Sequence, residues 1–177
     1  MKHILLLSLL IFSLTNSLSA EVLLSPIDAM KENYSQTATI RKKNILLSSA
    51  MFKKIQSSAK VKLQTKIYRI YIAEKRGKIL GYGILINKKV RSKNAVVMYL
   101  ITKDGVLKGI EVIAFNEPHE YIPSKTWTSQ FQNIPTNKML KLSRDIPTIT
   151  GATLSARSIT DGSRIAFAIY NELLQEK

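Results

Sequence analysis

IYRIYIAEKRGKILGYGILI, residues 67 to 86, decides the fold. Two runs rich in Ile and Tyr, residues 67–72 and 79–86, flank a turn at Lys75, Arg76, Gly77 and Lys78. β-Branched and aromatic residues on either side of a short Gly-containing turn predict an antiparallel hairpin. The pattern recurs downstream, where residues 95–101 and 106–115 flank Lys103-Asp104-Gly105, a second hairpin with Asp-Gly in its turn. Short connections lay consecutive strands side by side, so a four-stranded antiparallel meander is expected. Gly81 and Gly83 inside a strand mark a bulge or a close approach of a ligand or helix, and packing is the commoner reason.

Helices are expected on both sides of the meander in sequence. Ser25-Pro26 supplies a capping residue and a first-turn proline, with Asp28 near the positive dipole end, for a helix to about Asn33. Residues 37–47 are rich in β-branched and aliphatic residues, and Ser48 starts a second helix running through Ile55 to about Ala59. Near the C-terminus Ile159, Ala166, Ile169 and Leu173 recur at helical spacing, and Ile165, Phe167 and Leu174 widen the stripe. A helix from about Ser155 to Glu172 follows. The fold class is α+β, a single domain in which the meander packs against the C-terminal helix and one N-terminal helix. An N-terminal helix, strand and helix region over residues 21–65 precedes the domain proper at 66–177.

Thr150-Gly151-Ala152-Thr153-Leu154-Ser155 stands at the start of that last helix. Gly151 lets the backbone turn with positive φ or approach a ligand closely. The free N–H groups and positive dipole end of the following helix then make a place for an anion such as a phosphate. The plainer reading is that Thr150, Thr153 and Ser155 compete as N-caps. Arg157 and Arg164 are candidates to reach back over a bound phosphate.

The order Thr-Gly-Ala-Thr-Leu-Ser, followed by Arg157, Thr160 and Asp161, resembles the flavinylation motif of the FMN-binding domain family. That family includes the C subunit of the sodium-pumping NADH:quinone oxidoreductase, the G subunit of the Rnf complex and small secreted flavoproteins. The resemblance covers most of the chain after about Lys66 and extends to Gly81-Tyr82-Gly83-Ile84 and the second hairpin. It implies an FMN cofactor joined by a phosphoester to Thr153, with Thr150, Gly151, Ala152, Leu154 and Ser155 shaping the turn. It also implies a separate flavin transferase that takes FMN from FAD with a magnesium ion. No His or Lys in the motif activates the Thr hydroxyl, which is a poor nucleophile at its free pKa. Family motifs place an acid three positions before the residue matching Thr150; Pro147 stands there, and Asp145 lies two residues further upstream.

Between sheet and motif lies a loop-rich stretch, residues 116–123, followed by Trp127 and Phe131. The resemblance implies a Glu-containing loop at the isoalloxazine ring, and Glu117 is the matching residue. The Gly-rich continuation of many members is replaced by Pro118-His119-Glu120. Glu117, His119 and Glu120 lie within four residues on a Pro-containing loop, an arrangement that rarely closes a metal site, and no metal is expected. Trp127 and Phe131 sit four apart on an expected helix and face one side, as core residues by default and as flavin contacts in the sharper reading.

Composition bounds the setting. Residues 1–20 read as a secretory signal, with Lys2 and His3, an apolar run and Leu18-Ser19-Ala20 before the expected cleavage. The run is too short for a comfortable membrane span, and no other segment approaches that length, so no span is expected in the mature chain. With no cysteine, the chain has no disulfide, thiolate metal site, iron–sulfur cluster or lipid-attachment cysteine. A periplasmic location is expected. The formal net charge of +15 favours acidic partners, and export argues against nucleic acid. The basic residues are spread along the chain, as a solvated basic surface also requires.

These readings converge on a periplasmic electron-transfer flavoprotein, a carrier rather than a catalyst. It would be the substrate of a flavin transferase and would exchange electrons with a redox protein or membrane complex, acidic in character. Two alternatives stay open: a flavin-dependent reductase of a small acceptor using Glu117, His119 or Tyr121 near the ring, and a cofactor-free binding module of the same fold.

Overall fold

The computed structural model describes residues 22–175, so the expected export signal lies outside the described residues. Six strands run β1 Thr39–Leu46, β2 Ile67–Lys75, β3 Lys78–Lys89, β4 Asn94–Thr102, β5 Val106–Phe115 and β6 Ile134–Pro135. Four helices accompany them: α1 Pro26–Asn33, α2 Ser49–Ala59, α3 Lys125–Thr128 and α4 Thr153–Leu173. Single 3₁₀ turns occupy His119–Tyr121 and Ser129–Phe131.

The sheet is one antiparallel meander in the order β1-β2-β3-β4-β5-β6. The β2–β3 hairpin closes on Arg76 and Gly77, both at positive φ (52° and 72°), the handedness a two-residue hairpin turn needs. The expected four-stranded meander becomes a six-stranded sheet, because the strand expected in the N-terminal region joins it as β1 and a short β6 is added. β1 pairs with β2 from Thr39↔Glu74 to Leu46↔Ile67, and β6 joins β5 through Pro135 and Ile134. β1 escaped a strict period-2 reading because it is an edge strand whose Arg41, Lys42, Lys43 and Asn44 are all exposed. β6 is two residues long and carries no period at all.

Helices cover both faces. Ala29 and Met30 of α1 pack with Tyr71, Ala73, Met98, Leu100 and Ile113 on one face. On the other, α2 and α4 pack on Ile70, Ile72, Tyr82, Ile84, Val97, Tyr99 and Ile101. β4 divides its side chains between the two cores, with Val97, Tyr99 and Ile101 on one face and Met98 and Leu100 on the other. Its unbroken apolar run follows from that double burial. Met98, Leu100 and Ile101 are fully buried, and each such side chain is worth about 1.5–3 kcal/mol in transfer free energy.

Gly81 and Gly83 serve α1, which approaches β3 closely. A Cβ on Gly81 would stand 2.5 Å from Tyr34 Cε1 and 2.6 Å from the Ile101 carbonyl oxygen; on Gly83 it would overlap Met30 Sδ and lie 2.9 Å from Met98 Sδ. A register shift between Ala73 and Glu74 adds a bulge beside Gly81. The Tyr34 hydroxyl lies 2.8 Å from the Ile101 carbonyl and 3.0 Å from that of Tyr82, which it serves as donor.

The docking of α4 positions the site. Ala156, Gly162, Ser163 and Ala166 keep its inner face thin, and buried tyrosines tie it to the sheet. Tyr99 Oη donates to the Ile159 carbonyl at 2.7 Å, Ser158 Oγ to the Lys89 carbonyl at 3.2 Å and Tyr170 Oη to the Lys103 carbonyl at 2.6 Å. The N-terminal end of α4 is thereby fixed beside the β3–β4 turn.

Candidate functional site

α4 begins at Thr153, two residues earlier than its periodicity indicates, so Thr153 occupies the first helical position. Gly151, at φ +78°, turns the chain into it, and the Ala152 N–H donates to the Ile149 carbonyl at 3.0 Å. No side chain caps the helix: Ala152 is the N-cap, and neither Thr150, Thr153 nor Ser155 takes the capping role. The first intrahelical bond runs from Ala156 N–H to the Ala152 carbonyl at 3.1 Å. By helix geometry the N–H groups of Thr153, Leu154 and Ser155 point off the end of α4, where the dipole is positive. Thr153 is exposed, and its hydroxyl donates to the Ile149 carbonyl at 3.3 Å.

These residues form one wall of an open cavity of about 200 Å³. Gly151, Ala152, Thr153, Leu154 and Ser155 lie on that side; Glu117, Tyr121, Val90 and Arg91 complete the lining. Thr150 is exposed and stands outside the lining. Ser155 is buried to 1 % exposure, and its hydroxyl has no hydrogen-bond partner. A buried polar group without a partner costs about 1–3 kcal/mol, which a bound acceptor or donor relieves.

Glu117 reaches the cavity wall from the loop after β5, but its carboxylate is engaged. Oε1 accepts N–H bonds from Arg91 at 3.0 Å, Ser92 at 2.5 Å and Lys93 at 2.7 Å, and the Ser92 hydroxyl lies 3.1 Å from Oε2. These donors, led by the Lys93 N–H, outweigh burial and lower the Glu117 pKa to about 2. Glu117 is thus an ionised clasp on the β3–β4 turn and a poor proton acceptor.

Other expectations are relocated. Arg164 pairs with Asp161, which also faces Lys88 at 3.7 Å, and sits about 16 Å along the helix axis from Thr153 at 1.5 Å per residue, so it does not serve a phosphate there. Trp127 and Phe131 are core residues, their rings 5.1 Å apart; α3 ends at Thr128 and a 3₁₀ turn carries Phe131. Trp127 Nε1 donates to the Pro147 carbonyl at 2.9 Å and holds the strand of loop leading to the motif. Asp145 is spent on its own turn, accepting the Lys141 N–H at 2.9 Å and pairing with Arg144 and Lys138. His119 and Glu120 are exposed and outside the cavity lining. Val90 and Arg91 were missed as site residues; the signal was the basic run between β3 and β4, whose turn faces the start of α4 only in three dimensions.

The arrangement suits a ligand with an anionic end and a flat apolar body. Outward N–H groups and the orphan Ser155 hydroxyl meet the first, while Leu154, Val90 and Tyr121 offer apolar surface for the second. The cavity is smaller than the ~300–1,000 Å³ of enclosing small-molecule sites, so a nucleotide-sized ligand lies partly over the surface.

Two comparisons agree with this geometry. The family model of the FMN-binding domain matches residues 91–168, from the β3–β4 turn through most of α4, a shorter span than 66–177. The G subunit of the Na(+)-translocating ferredoxin:NAD(+) oxidoreductase complex of Acetobacterium woodii is 25% identical over 163 residues, covering 81% of this chain and 79% of the relative. Clasped turn and open helix end fall within the matched segment, as does all of the cavity lining except Val90; over residues 91–168 the chain is similar to the FMN-binding domain, and FMN is the cofactor that the two matches indicate.

Proposed function

We propose that this chain is an electron-transfer subunit whose FMN is attached through a phosphoester to Thr153. The carrying observation is the placement of an exposed Thr hydroxyl at the uncapped N-terminus of α4, on the wall of the cavity. When bound, FMN supplies one- and two-electron redox chemistry; the protein supplies attachment, orientation and electrostatics. The N–H groups at the helix start hold the phosphate's negative charge, and Ser155 offers it a further hydrogen bond.

Attachment needs outside help. Glu117 is the one carboxylate in the cavity lining, and its clasped, acid-shifted state makes it unfit to deprotonate Thr153. A flavin transferase using FAD meets this need. The Thr153 Oγ–phosphorus bond forms, the pyrophosphate bond of FAD breaks, AMP leaves and the hydroxyl proton passes to a base on the transferase. Asp145 does not replace the acid that Pro147 displaces, since its carboxylate is held in the Lys141–Arg144 turn.

The relative belongs to a membrane redox complex by its name, and no helix among the described residues is long and apolar enough to cross a membrane. A docked or freely diffusing periplasmic carrier with an acidic partner fits the +15 charge and the N-terminal sequence. Intact mass and peptide mapping of protein exported from cells containing a flavin transferase tests the reading. One FMN is expected on the Thr153 peptide and none in Thr153→Val; labelling that survives that substitution refutes the assignment.

A further inference from the structure

The cavity lining includes one cationic residue, Arg91, which is exposed and to whose side chain neither the fold nor the attachment of FMN gives a role. Its guanidinium has no ion-pair partner among the described residues, whereas Arg164 and Lys88 share Asp161. Its backbone, by contrast, is tightly held. The Arg91 N–H is the first of three consecutive donors gathered by Glu117, which fixes the turn from the opposite strand end. Another tie acts at Lys89, whose carbonyl accepts the Ser158 hydroxyl of α4 at 3.2 Å. The Arg91 side chain is therefore mounted on a turn locked both to the loop after β5 and to the helix that carries Thr153.

We propose that Arg91 is a cofactor-binding residue, pairing with an electron-rich oxygen of FMN, and that Glu117 is a positioning residue that acts through it. A guanidinium across from a helix N-terminus gives the cavity two sources of positive potential on different walls. One suits the phosphate; the shared chemistry leaves Arg91 a phosphate oxygen or a ring carbonyl. The proposal rests on FMN as the ligand and not on covalent attachment.

The test uses the full exported chain as Thr153→Val, which removes the attachment hydroxyl and lets FMN affinity be measured by fluorescence quenching. Arg91→Ala is expected to weaken FMN binding about tenfold or more, the scale of one charge-assisted hydrogen bond, with partial rescue by Arg91→Lys. Riboflavin, which lacks the phosphate, separates the two sources: a loss with FMN alone assigns Arg91 to the phosphate, and a loss with both assigns it to the ring. Glu117→Gln is expected to weaken binding in the Arg91 protein and to add little in Arg91→Ala. Should Glu117→Gln fail to fold, the Arg91→Ala and Arg91→Lys pair carries the test. In protein with Thr153 intact and FMN attached, Arg91→Ala lowers the flavin midpoint potential if the guanidinium faces the ring. Unchanged affinity for both ligands in Arg91→Ala overturns the proposal, and an equal Glu117→Gln loss with and without Arg91 overturns the positioning role. A wild type that binds FMN yet gains no mass would sink the phosphoester and leave Arg91 standing.

Discussion

Replacing Gly162 with alanine sets two effects of opposite sign against each other. On an isolated helix the change stabilises by about 1 kcal/mol, because glycine is the poorer helix former. In this fold the new Cβ would overlap Tyr99 Oη and lie 2.9 Å from Tyr99 Cζ. Tyr99 is 1 % exposed and its hydroxyl bonds the Ile159 carbonyl at 2.7 Å, so it has nowhere to retreat without losing that bond. Overpacking costs about 1–3 kcal/mol. Leaving a buried hydroxyl unpaired costs a further 1–3 kcal/mol or so. The net expectation is destabilisation of roughly 1–5 kcal/mol, a fall of roughly 1–3 M in the urea midpoint for a mid-range value. Tyr99→Phe removes the atom in closest conflict, so Gly162→Ala should cost less in that background, a coupling that a double-mutant cycle reads directly. A Gly162→Ala midpoint at or above wild type would refute the reasoning, as would strict additivity with Tyr99→Phe. The site would feel the change too: Gly162 lies about 14 Å along the helix axis from Thr153, and lifting α4 there shifts the start of α4 against the clasped turn.

Gly151→Ala should destabilise by about 1–2 kcal/mol through its positive φ alone, since open space surrounds the new Cβ, and thermal melts should show this beside a silent Gly109→Ala. Trp127→Phe keeps the ring in the core but loses the bond to the Pro147 carbonyl; about 1 kcal/mol of stability and faster protease cleavage before Thr150 are expected. Glu117 gives a pH signature. Its folded pKa of about 2 lies below that of an unfolded glutamate at about 4.3, so its contribution is complete above the unfolded value and fades as the pH falls toward 2. Acid titrations of stability should be flatter over that window in Glu117→Gln.

Much of the fold was legible because its signals are local. Ser25 and Ser48 do cap α1 and α2, their hydroxyls accepting from Ile27 N–H at 3.3 Å and Met51 N–H at 3.2 Å, and both hairpins fall where Arg76-Gly77 and Asp104-Gly105 turn the chain. What stayed hidden depends on partners distant in sequence. The strand expected before α2 gave no sign that it would extend the meander, which it does by pairing with β2 despite its exposed basic side chains. The start of α4 at Thr153 was blurred because the apolar stripe begins only at Ala156, while Thr153 and Leu154 face outward. Family resemblance singled out Glu117, which the structure places in the cavity lining. Its clasp on Arg91, Ser92 and Lys93 spans 24 to 26 residues and has no local pattern.

The strand order has a consequence for how the protein reaches its working state. β2 to β5 are joined in order by short turns, so the central meander assembles from contacts of short separation, the kind that form early and fast. α4 is different, since its ties to Lys89, Tyr99 and Lys103 each span 60 to 69 residues. Loop closure of that length is entropically costly until the sheet exists to receive the helix. Docking of α4 is therefore expected late in folding, with the hydroxyl of Thr153 meeting the turn at Arg91 only then. A maturation enzyme that recognises both walls of the cavity would read this as a checkpoint, modifying chains whose sheet is complete and passing over those still folding.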